Sequence, residues 1–217
     1  MGWGQAAVYS HARRLREAGW LESCERLRGE GTLAYASREG LQVSRVRATV
    51  VDRRPAPYTW PHSEACAWTA AWLTARGRGM IGSREIPARR EWRGELRWKE
   101  RGESRRRGHR PDLVGELPDG QLMPIEVELT EKSSARLEAV LRLHASWVVS
   151  GKTPAVMYVC ASQEIAARVK SDGEQAGLSI ERGTMRVELL DGIRREAVKA
   201  CSRVASTDWH LSGSAVA

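Results

Sequence analysis

The sequence predicts an α/β fold with a central mixed β-sheet, preceded by a small helix–hairpin unit. Beyond residue 62, segments of helical and strand periodicity follow in the order helix, strands, helix, strand, helix, strand, which is typical of an α/β sheet. Residues 155–160 form a continuous apolar run, the pattern of a strand buried on both faces. The 217 residues are 41% hydrophobic and include nine tryptophans, enough to build the core of one domain of ordinary size.

The composition excludes two classes of protein. A charged fraction of 29%, a mean hydropathy of −0.47 and many large apolar residues exclude a disordered chain. The longest apolar runs are far shorter than the ~20 residues of a membrane-spanning helix. No basic start followed by an apolar stretch is seen, so we expect no signal peptide and a cytoplasmic protein. The four cysteines are too widely spaced for a metal knuckle and are expected to be free thiols, two of them within apolar stretches.

The chain is expected to begin with a helix and a hairpin. A helix is predicted over residues 5–18, because apolar side chains recur on one helical face. Gly19 follows in the position that commonly ends a helix. Two short strands are predicted at residues 24–28 and 32–36, around a glycine-containing turn.

A helix followed by a hairpin is typical of the second half of a winged helix-turn-helix, in which the helix enters the major groove of DNA. On this interpretation residues 1–50 are a partial winged-helix module, and Arg13 and Arg14 contact DNA. Only four residues precede the helix, whereas such a module needs two earlier helices to cover its apolar face. Either the start of the module has been lost, or it is a remnant, or the missing contacts come from another part of the chain, a second copy of it or a partner protein.

Residues 51–61 carry three prolines without periodicity and are predicted to be a linker. The second unit spans residues 62–204 and is expected to begin with a helix over residues 62–76. Trp68 and Trp72 stand one turn apart on its apolar stripe, which favours a core position over a base-stacking platform.

The rest of the second unit alternates between strands and helices. Residues 100–108 are rich in arginine and poor in apolar residues, which predicts a mobile loop, and residues 205–217 are expected to fray. Strands are predicted at residues 113–117, 122–129, 155–160 and 185–190, and helices at residues 133–149 and 164–175.

The excess positive charge lies in one stretch. Residues 76–110 contain thirteen Arg and Lys against five Asp and Glu, which equals the net charge of +8 of the whole chain. A focused basic field favours a polyanionic partner, most often nucleic acid. An acidic protein partner, or a solvated loop without a partner, are the alternatives. The candidate DNA-binding side chains in this stretch are Arg97, Arg101, Arg105, Arg106, Arg107, His109 and Arg110.

Two glutamates on one predicted strand are candidate metal ligands. Glu126 and Glu128 stand two residues apart, so both lie on one face of the strand, opposite its apolar residues. Neighbouring carboxylates in an otherwise apolar sheet oppose each other's ionisation, and a divalent cation would relieve this; oxygen ligands suit Mg²⁺ or Mn²⁺. The alternative is that both glutamates lie on a solvated edge strand or pair with nearby arginines.

Asp112 stands at the start of the preceding strand and can share a metal with Glu126 only if both lie on the same sheet face. A tight two-residue turn would place Asp112 opposite Val127 and on the wrong face. A shared metal therefore predicts an odd-length loop or a bulge over residues 118–121, which sets Asp112 opposite Glu126 or Glu128.

The segments His109-Arg110-Pro111-Asp112 and Glu126-Val127-Glu128-Leu129-Thr130-Glu131-Lys132-Ser133 resemble the replication-relaxation family of bacterial mobile elements. The resemblance covers about residues 5–170 and is sharpest over residues 109–133. Proteins of that family look like a winged helix joined to a PD-(D/E)XK, or restriction-endonuclease-like, domain. The resemblance implies such a core here, with a mixed sheet flanked by helices.

The resemblance also implies roles for single residues. Asp112 and Glu126 would bind the metal, and Glu85 would add a further acidic group. The family's water-activating lysine would stand two residues after Glu126, where this chain has Glu128, and Lys132 is the candidate replacement. The histidine before the Pro-Asp pair would stack on a base or contact a phosphate.

Three functions are compatible with the sequence. The first is a Mg²⁺- or Mn²⁺-dependent DNA endonuclease or nickase of a plasmid or phage, in which arginines between residues 84 and 110 hold the DNA backbone. The second is a DNA-binding protein without catalytic activity, acting in plasmid replication control or transcription, which Glu128 at the lysine position favours. The third is an interaction subunit of a DNA-processing complex.

Overall fold

The computed structural model describes residues 5–24, 33–43 and 57–204. The helices of these ranges are α1 (Gln5–Glu17), α2 (Arg38–Val43), α3 (Trp60–Thr74), α4 (Ser134–Val149), α5 (Gln163–Gln175) and α6 (Leu190–Val204). The strands are β1 (Leu21–Cys24), β2 (Leu33–Ala36), β3 (Met80–Ile81), β4 (Gly94–Glu100), β5 (Glu103–His109), β6 (Leu113–Glu116), β7 (Leu122–Glu128), β8 (Val156–Cys160) and β9 (Met185–Leu189).

The first unit is a helix followed by an antiparallel hairpin and a short helix. α1 ends at Glu17. Gly19, just beyond it, has φ +74°, and the amide of Trp20 donates a 2.8 Å hydrogen bond to the carbonyl of Leu15. The predicted first helix and its glycine end are therefore confirmed. β1 pairs with β2 but begins at Leu21, three residues before the predicted strand. Residues 25–32, with the rest of that strand and its turn, lie outside the described residues.

The second unit is built on a five-stranded mixed sheet with the order β3-β6-β7-β8-β9. β3, β6 and β7 are antiparallel neighbours, whereas β7, β8 and β9 are parallel. The predicted mixed α/β architecture is confirmed. Because β7 lies at the centre of the sheet, Glu126 and Glu128 are 2% and 3% exposed and do not lie on a solvated edge strand.

Two helical layers cover the sheet. On one face, α3 and α6 bury Ala65, Trp72 and Ile193 against the inward side chains of β7 and β8. Trp72 is 3% exposed, so its predicted core position is confirmed. On the other face, α4 and α5 pack on Tyr158 and its neighbours in β8. α6 is not among the predicted elements.

The prediction of a mobile loop over residues 100–108 is wrong, because β4 and β5 form a regular hairpin there. Seven residue pairs run from Gly94 with His109 to Glu100 with Glu103. Arg101 and Gly102 make the turn, and both have positive φ (51° and 83°), the conformation that matches the twist of a two-residue hairpin. Leu96, 2% exposed, fixes the hairpin against α4.

The predicted linker over residues 51–61 is wrong at its end. Trp60 begins α3 and is 8% exposed, and a 3₁₀ turn at Pro57–Thr59 precedes it. Proline is tolerated in the first turn of a helix, which is where Pro61 stands. Residues 51–56 and 205–217 lie outside the described residues. In the part of the chain that the structure describes, none of the helices has the length and apolar character needed to cross a membrane.

Candidate functional site

The loop between β6 and β7 contains five residues, 117–121. The amide of Leu117 donates a 2.8 Å hydrogen bond to the carbonyl of Gln121, and Gly120 adopts φ +81° inside the loop. An odd-length loop is what a metal shared by Asp112 and Glu126 requires, and this prediction is confirmed.

The register of β6 and β7 brings Asp112 and Glu126 to the same level. Leu113 is the partner of Ile125, so Asp112, the residue before β6, is level with Glu126 in β7. Oδ2 of Asp112 accepts a 2.8 Å hydrogen bond from the amide of Val127. The side chain of Asp112 therefore accepts the hydrogen bond of a β7 amide next to Glu126, in the role that a main-chain carbonyl usually has between paired strands.

Glu126 is buried beneath two imidazoles. Its Oε1 accepts a 2.9 Å hydrogen bond from Nε2 of His109 and lies 3.6 Å from Nε2 of His144. Burial first, and the negative charge of Asp112 second, raise the pKa of Glu126 above its ordinary value. A cation close to this carboxylate would counteract both effects.

Glu128 is held by a lysine from the segment between β7 and α4. The ammonium group of Lys132 contacts Oε1 of Glu128. Burial alone would lower the pKa of Lys132, but the charges of Glu126 and Glu128 outweigh it and raise that pKa, so the lysine stays protonated. Burial raises the pKa of Glu128. Lys132 thus reaches back to the end of β7, although a catalytic role for it stays a prediction.

These groups line one open pocket of about 560 Å³. Its acidic members are Asp112, Glu126 and Glu128, and its basic members are His62, Arg107, His109, Arg110, Lys132 and Arg136. Buried carboxylates surrounded by cationic side chains can hold a metal ion together with an anionic substrate.

His62 connects the site to α3. Its Nε2 lies 3.2 Å from Oδ2 of Asp112, and its Nδ1 lies 3.7 Å from Sγ of Cys66. The hydrogen bond with Asp112 is the main cause that raises the pKa of His62 to about 10. A thiol, an imidazole and a carboxylate in this order resemble a cysteine-nucleophile site. However, Cys66 is 7% exposed and burial raises the pKa of its thiol, so the reactive thiolate is disfavoured.

Glu85 is not among the side chains that line the pocket. It precedes the 3₁₀ turn Ile86–Ala88, and its Oε2 accepts a 3.1 Å hydrogen bond from the amide of Gly82. The structure therefore gives this predicted third acidic group a local contact within the turn, away from Asp112 and Glu126.

Several arginines predicted to bind DNA are paired with glutamates on the β4–β5 hairpin. Arg97 and Arg106 donate to the same carboxylate, that of Glu95, at 2.7 and 2.5 Å. Arg105 lies 2.8 Å from Glu103. These ion pairs reduce the free positive charge of the exposed hairpin face.

Four other arginines predicted to bind DNA, Arg14, Arg101, Arg107 and Arg110, form no ion pair with an acidic residue of the described ranges. Arg107 and Arg110 line the pocket, and Arg101 occupies the exposed tip of the hairpin. In the first unit, Arg14 is exposed on α1, whereas Arg13 lies 3.7 Å from Glu17. The pocket arginines are therefore better placed for phosphate than the outer hairpin arginines.

Three side chains of the site are not predicted by any sequence pattern. His144 lies on the apolar stripe of α4, so its position signals only burial, and Tyr158 lies inside a continuous apolar strand. His62 begins the predicted helix without any motif around it. The one available signal is a histidine on an otherwise apolar stripe, because a fully buried imidazole requires a polar partner.

No family model matches the chain, and no curated protein matches it. The geometry of the pocket and the residues that carry the resemblance are therefore the basis for assigning a function.

Proposed function

We propose that this protein is a metal-dependent DNA endonuclease or nickase of a mobile genetic element. The observation that carries the proposal is the register that sets Asp112 level with Glu126, in a pocket that also holds the protonated Lys132. Two acids could hold a metal ion at this opening and a lysine could orient the attacking water, which is one arrangement that can hydrolyse a phosphodiester.

The order of the elements supports a PD-(D/E)XK-like core. The chain passes from α3 through the antiparallel pair β6–β7 to α4 and then to the parallel strand β8. Asp112 and Glu126 occupy the positions that the resemblance implies for the metal ligands. The helix and hairpin of the first unit are compatible with a partial winged helix that adds DNA contacts.

The carboxylates suit a hard divalent cation. The described contacts engage Oδ2 of Asp112 and Oε1 of Glu126, so the other oxygen of each group would hold the ion. Mg²⁺ or Mn²⁺ bound there would act as a Lewis acid and lower the pKa of a coordinated water. The raised pKa of Glu126 supports this interpretation, because a nearby positive charge would restore its ionised form.

Lys132 supplies the positive charge that is missing at residue 128 of strand β7, where this chain has a glutamate. Glu128 stands where the family has its lysine, and the contact between Glu128 and Lys132 holds an ammonium group in the same pocket. A protonated lysine there orients the attacking water and stabilises the phosphate oxygens as charge develops on them. On this proposal Glu128 positions Lys132 and does not bind the metal.

The basic side chains of the rim favour DNA as the substrate. Arg107, Arg110 and Arg136 line the pocket and would contact phosphates on either side of the scissile bond. Contacts of this kind position the nucleic acid without reading its sequence.

A second candidate is a DNA-binding protein on the same fold without catalysis. One specific observation favours it: Asp112 and Glu126 already accept hydrogen bonds from the protein itself. A site satisfied in this way stays folded without any metal ion.

Incubation of the purified protein with supercoiled plasmid and Mg²⁺ or Mn²⁺ distinguishes the two candidates. We expect nicked or linear product that disappears with EDTA. Asp112→Asn and Glu126→Gln should abolish cleavage while DNA binding holds or tightens, because removing a carboxylate removes repulsion of phosphate. Glu131→Gln is the matched control, since Glu131 is exposed and outside this pocket. Binding without cleavage in either metal would support the non-catalytic function.

A further inference from the structure

His144 is a fully buried histidine with one ring nitrogen unused. Nδ1 lies 2.8 Å from the hydroxyl of Tyr158, and the side chain has no exposed surface. Among the residues that the structure describes, Nε2 has no hydrogen-bond partner. An unpaired buried nitrogen is costly, so native proteins usually give such an atom a partner.

The unused nitrogen points to a carboxylate that a second histidine already contacts. Nε2 of His144 lies 3.6 Å from Oε1 of Glu126, which is too far for a hydrogen bond, and Nε2 of His109 lies 2.9 Å from the same oxygen. The three ligand atoms all lie within 4.8 Å of one another. The rings of His109 and His144 are tilted by 59°, with centroids 5.6 Å apart.

We propose that His109, Glu126 and His144 form a binding site for one divalent first-row transition-metal ion such as Zn²⁺ or Co²⁺. Ligand atoms about 2.0–2.2 Å from such an ion lie roughly 3.3 Å apart in a tetrahedral site. The observed separations surround that value, so the cluster needs only small side-chain movements. Two imidazoles and one carboxylate select transition metals over Mg²⁺, which prefers oxygen ligands.

The three ligands come from separate elements that the fold fixes in place. His109 ends β5, Glu126 lies in the central strand β7, and His144 lies on α4. Glu126 is the register partner of Tyr158 in the parallel pair β7–β8. The residue that supports His144 is therefore set next to the carboxylate by the sheet itself.

Tyr158 is suited to support a metal-binding imidazole. A ligating histidine usually donates its other ring N–H to an acceptor, which fixes the tautomer. With the proton on Nδ1 and the Tyr158 oxygen as its acceptor, Nε2 of His144 presents its lone pair to the cluster.

This site goes beyond the proposed nuclease function, because metal binding at the histidines requires no DNA and no Lys132. It shares Glu126 with the candidate catalytic pocket, which is also lined by Asp112, the residue before β6. The two proposals therefore need variants that separate them, and Asp112 and His109 provide these.

Titration of chelator-treated full-length protein with Co²⁺, followed by visible absorption and competed with Zn²⁺, tests the site. We expect one Co²⁺ per chain with absorption bands of nitrogen and oxygen ligation. His109→Gln and His144→Gln should weaken binding at least tenfold, and Tyr158→Phe about tenfold because the ring loses its support. His11→Gln is the matched control, since His11 is exposed on α1 and is not a member of the His109–Glu126–His144 cluster.

Circular dichroism of each variant checks folding, and His109→Gln decides the test if the core variant His144→Gln unfolds. Asp112→Asn should lose plasmid cleavage and keep Co²⁺ binding, so failure of the nuclease proposal and failure of the metal proposal give different results. Wild-type protein that binds no Co²⁺, or a His109→Gln variant that binds it as tightly as wild type, would overturn the proposed site.

Discussion

The carboxylate of Asp112 is the hydrogen-bond acceptor for the main-chain amide of Val127, at 2.8 Å. Strand β6 begins only at Leu113, so β7 extends beyond its antiparallel partner at this end. The side chain of Asp112 therefore has a structural function in the sheet in addition to its proposed function at the metal.

The two functions of Asp112 predict different stabilities for two inactive variants. Asp112→Ala leaves the buried amide of Val127 without an acceptor, which should cost about 1–3 kcal/mol of unfolding free energy. Asp112→Asn keeps a side-chain oxygen and should be destabilised much less, while both variants are expected not to cleave DNA. Urea denaturation of the two variants measures the difference. Equal midpoints would contradict the idea that this side chain stabilises the sheet through its hydrogen bond with the amide of Val127.

The Glu128–Lys132 pair predicts that removing the lysine alone is worse than removing both charges. Lys132→Met leaves the carboxylate of Glu128 buried without its cation and should lower the unfolding free energy by roughly 2–3 kcal/mol. The loss is smaller than for a fully buried ion pair, because Lys132 is partly exposed. The double variant Lys132→Met with Glu128→Gln should recover most of that stability and still not cleave DNA. Thermal or urea unfolding checks the prediction. A double variant as unstable as the single one would show that Glu128 is not the source of the destabilisation.

The ion pairs of the hairpin predict that arginines contribute unequally to DNA affinity. Arg107→Gln with Arg110→Gln should reduce the salt slope of DNA binding by ~0.9 for each phosphate that the variant no longer neutralises. Arg97→Gln with Arg106→Gln should reduce it less, because Glu95 already engages both side chains. Fluorescence anisotropy at several salt concentrations measures the slopes. An unchanged slope after substitution of the pocket arginines would exclude them as phosphate-binding groups.

Burial predicts that Cys160 is unreactive in the native protein. It has no exposed surface, and burial raises the pKa of its thiol from 9.0 to about 12. At pH 8 iodoacetamide should modify Cys160 only after unfolding, as peptide mass spectrometry would show. The unfolded chain releases this proton above about pH 9 and the native chain does not, so the unfolding free energy should fall between pH 9 and 12. Rapid labelling of Cys160 in folded protein would contradict its burial.

Four strands of the sheet, β6 to β9, were predictable because strand patterns are local in the sequence. Alternation placed Glu126 and Glu128 on one face. The hypothesis that Asp112 shares a metal with Glu126 required an odd-length loop or a bulge, and the structure contains an odd-length loop. The continuous apolar run of β8 likewise specified a strand buried on both faces.

The β4–β5 hairpin was not predictable from those patterns. Most of its side chains are exposed and polar, because the hairpin packs on α4 mainly through Leu96 and the partly buried Trp98. Its Arg101-Gly102 turn also lacks the Asn-Gly or Asp-Gly sequence that usually marks such a turn. The position of His144 3.6 Å from Glu126 depends on how α4 packs on the sheet, and the spacing of residues along the chain does not predict that packing.

His109 is the last residue of the hairpin and also a contact of the buried Glu126. The hairpin is joined to the five-stranded sheet by packing on α4 and not by strand pairing. A ligand that tilted the arginine-bearing strands would move the imidazole relative to the carboxylate, and an ion at Glu126 would in turn favour one position of the hairpin. Thermodynamic reciprocity requires these two events to influence each other by the same free energy. We therefore expect polyanion binding at the hairpin and occupancy of the buried centre to be linked equilibria, so that each modulates the other across one side-chain contact.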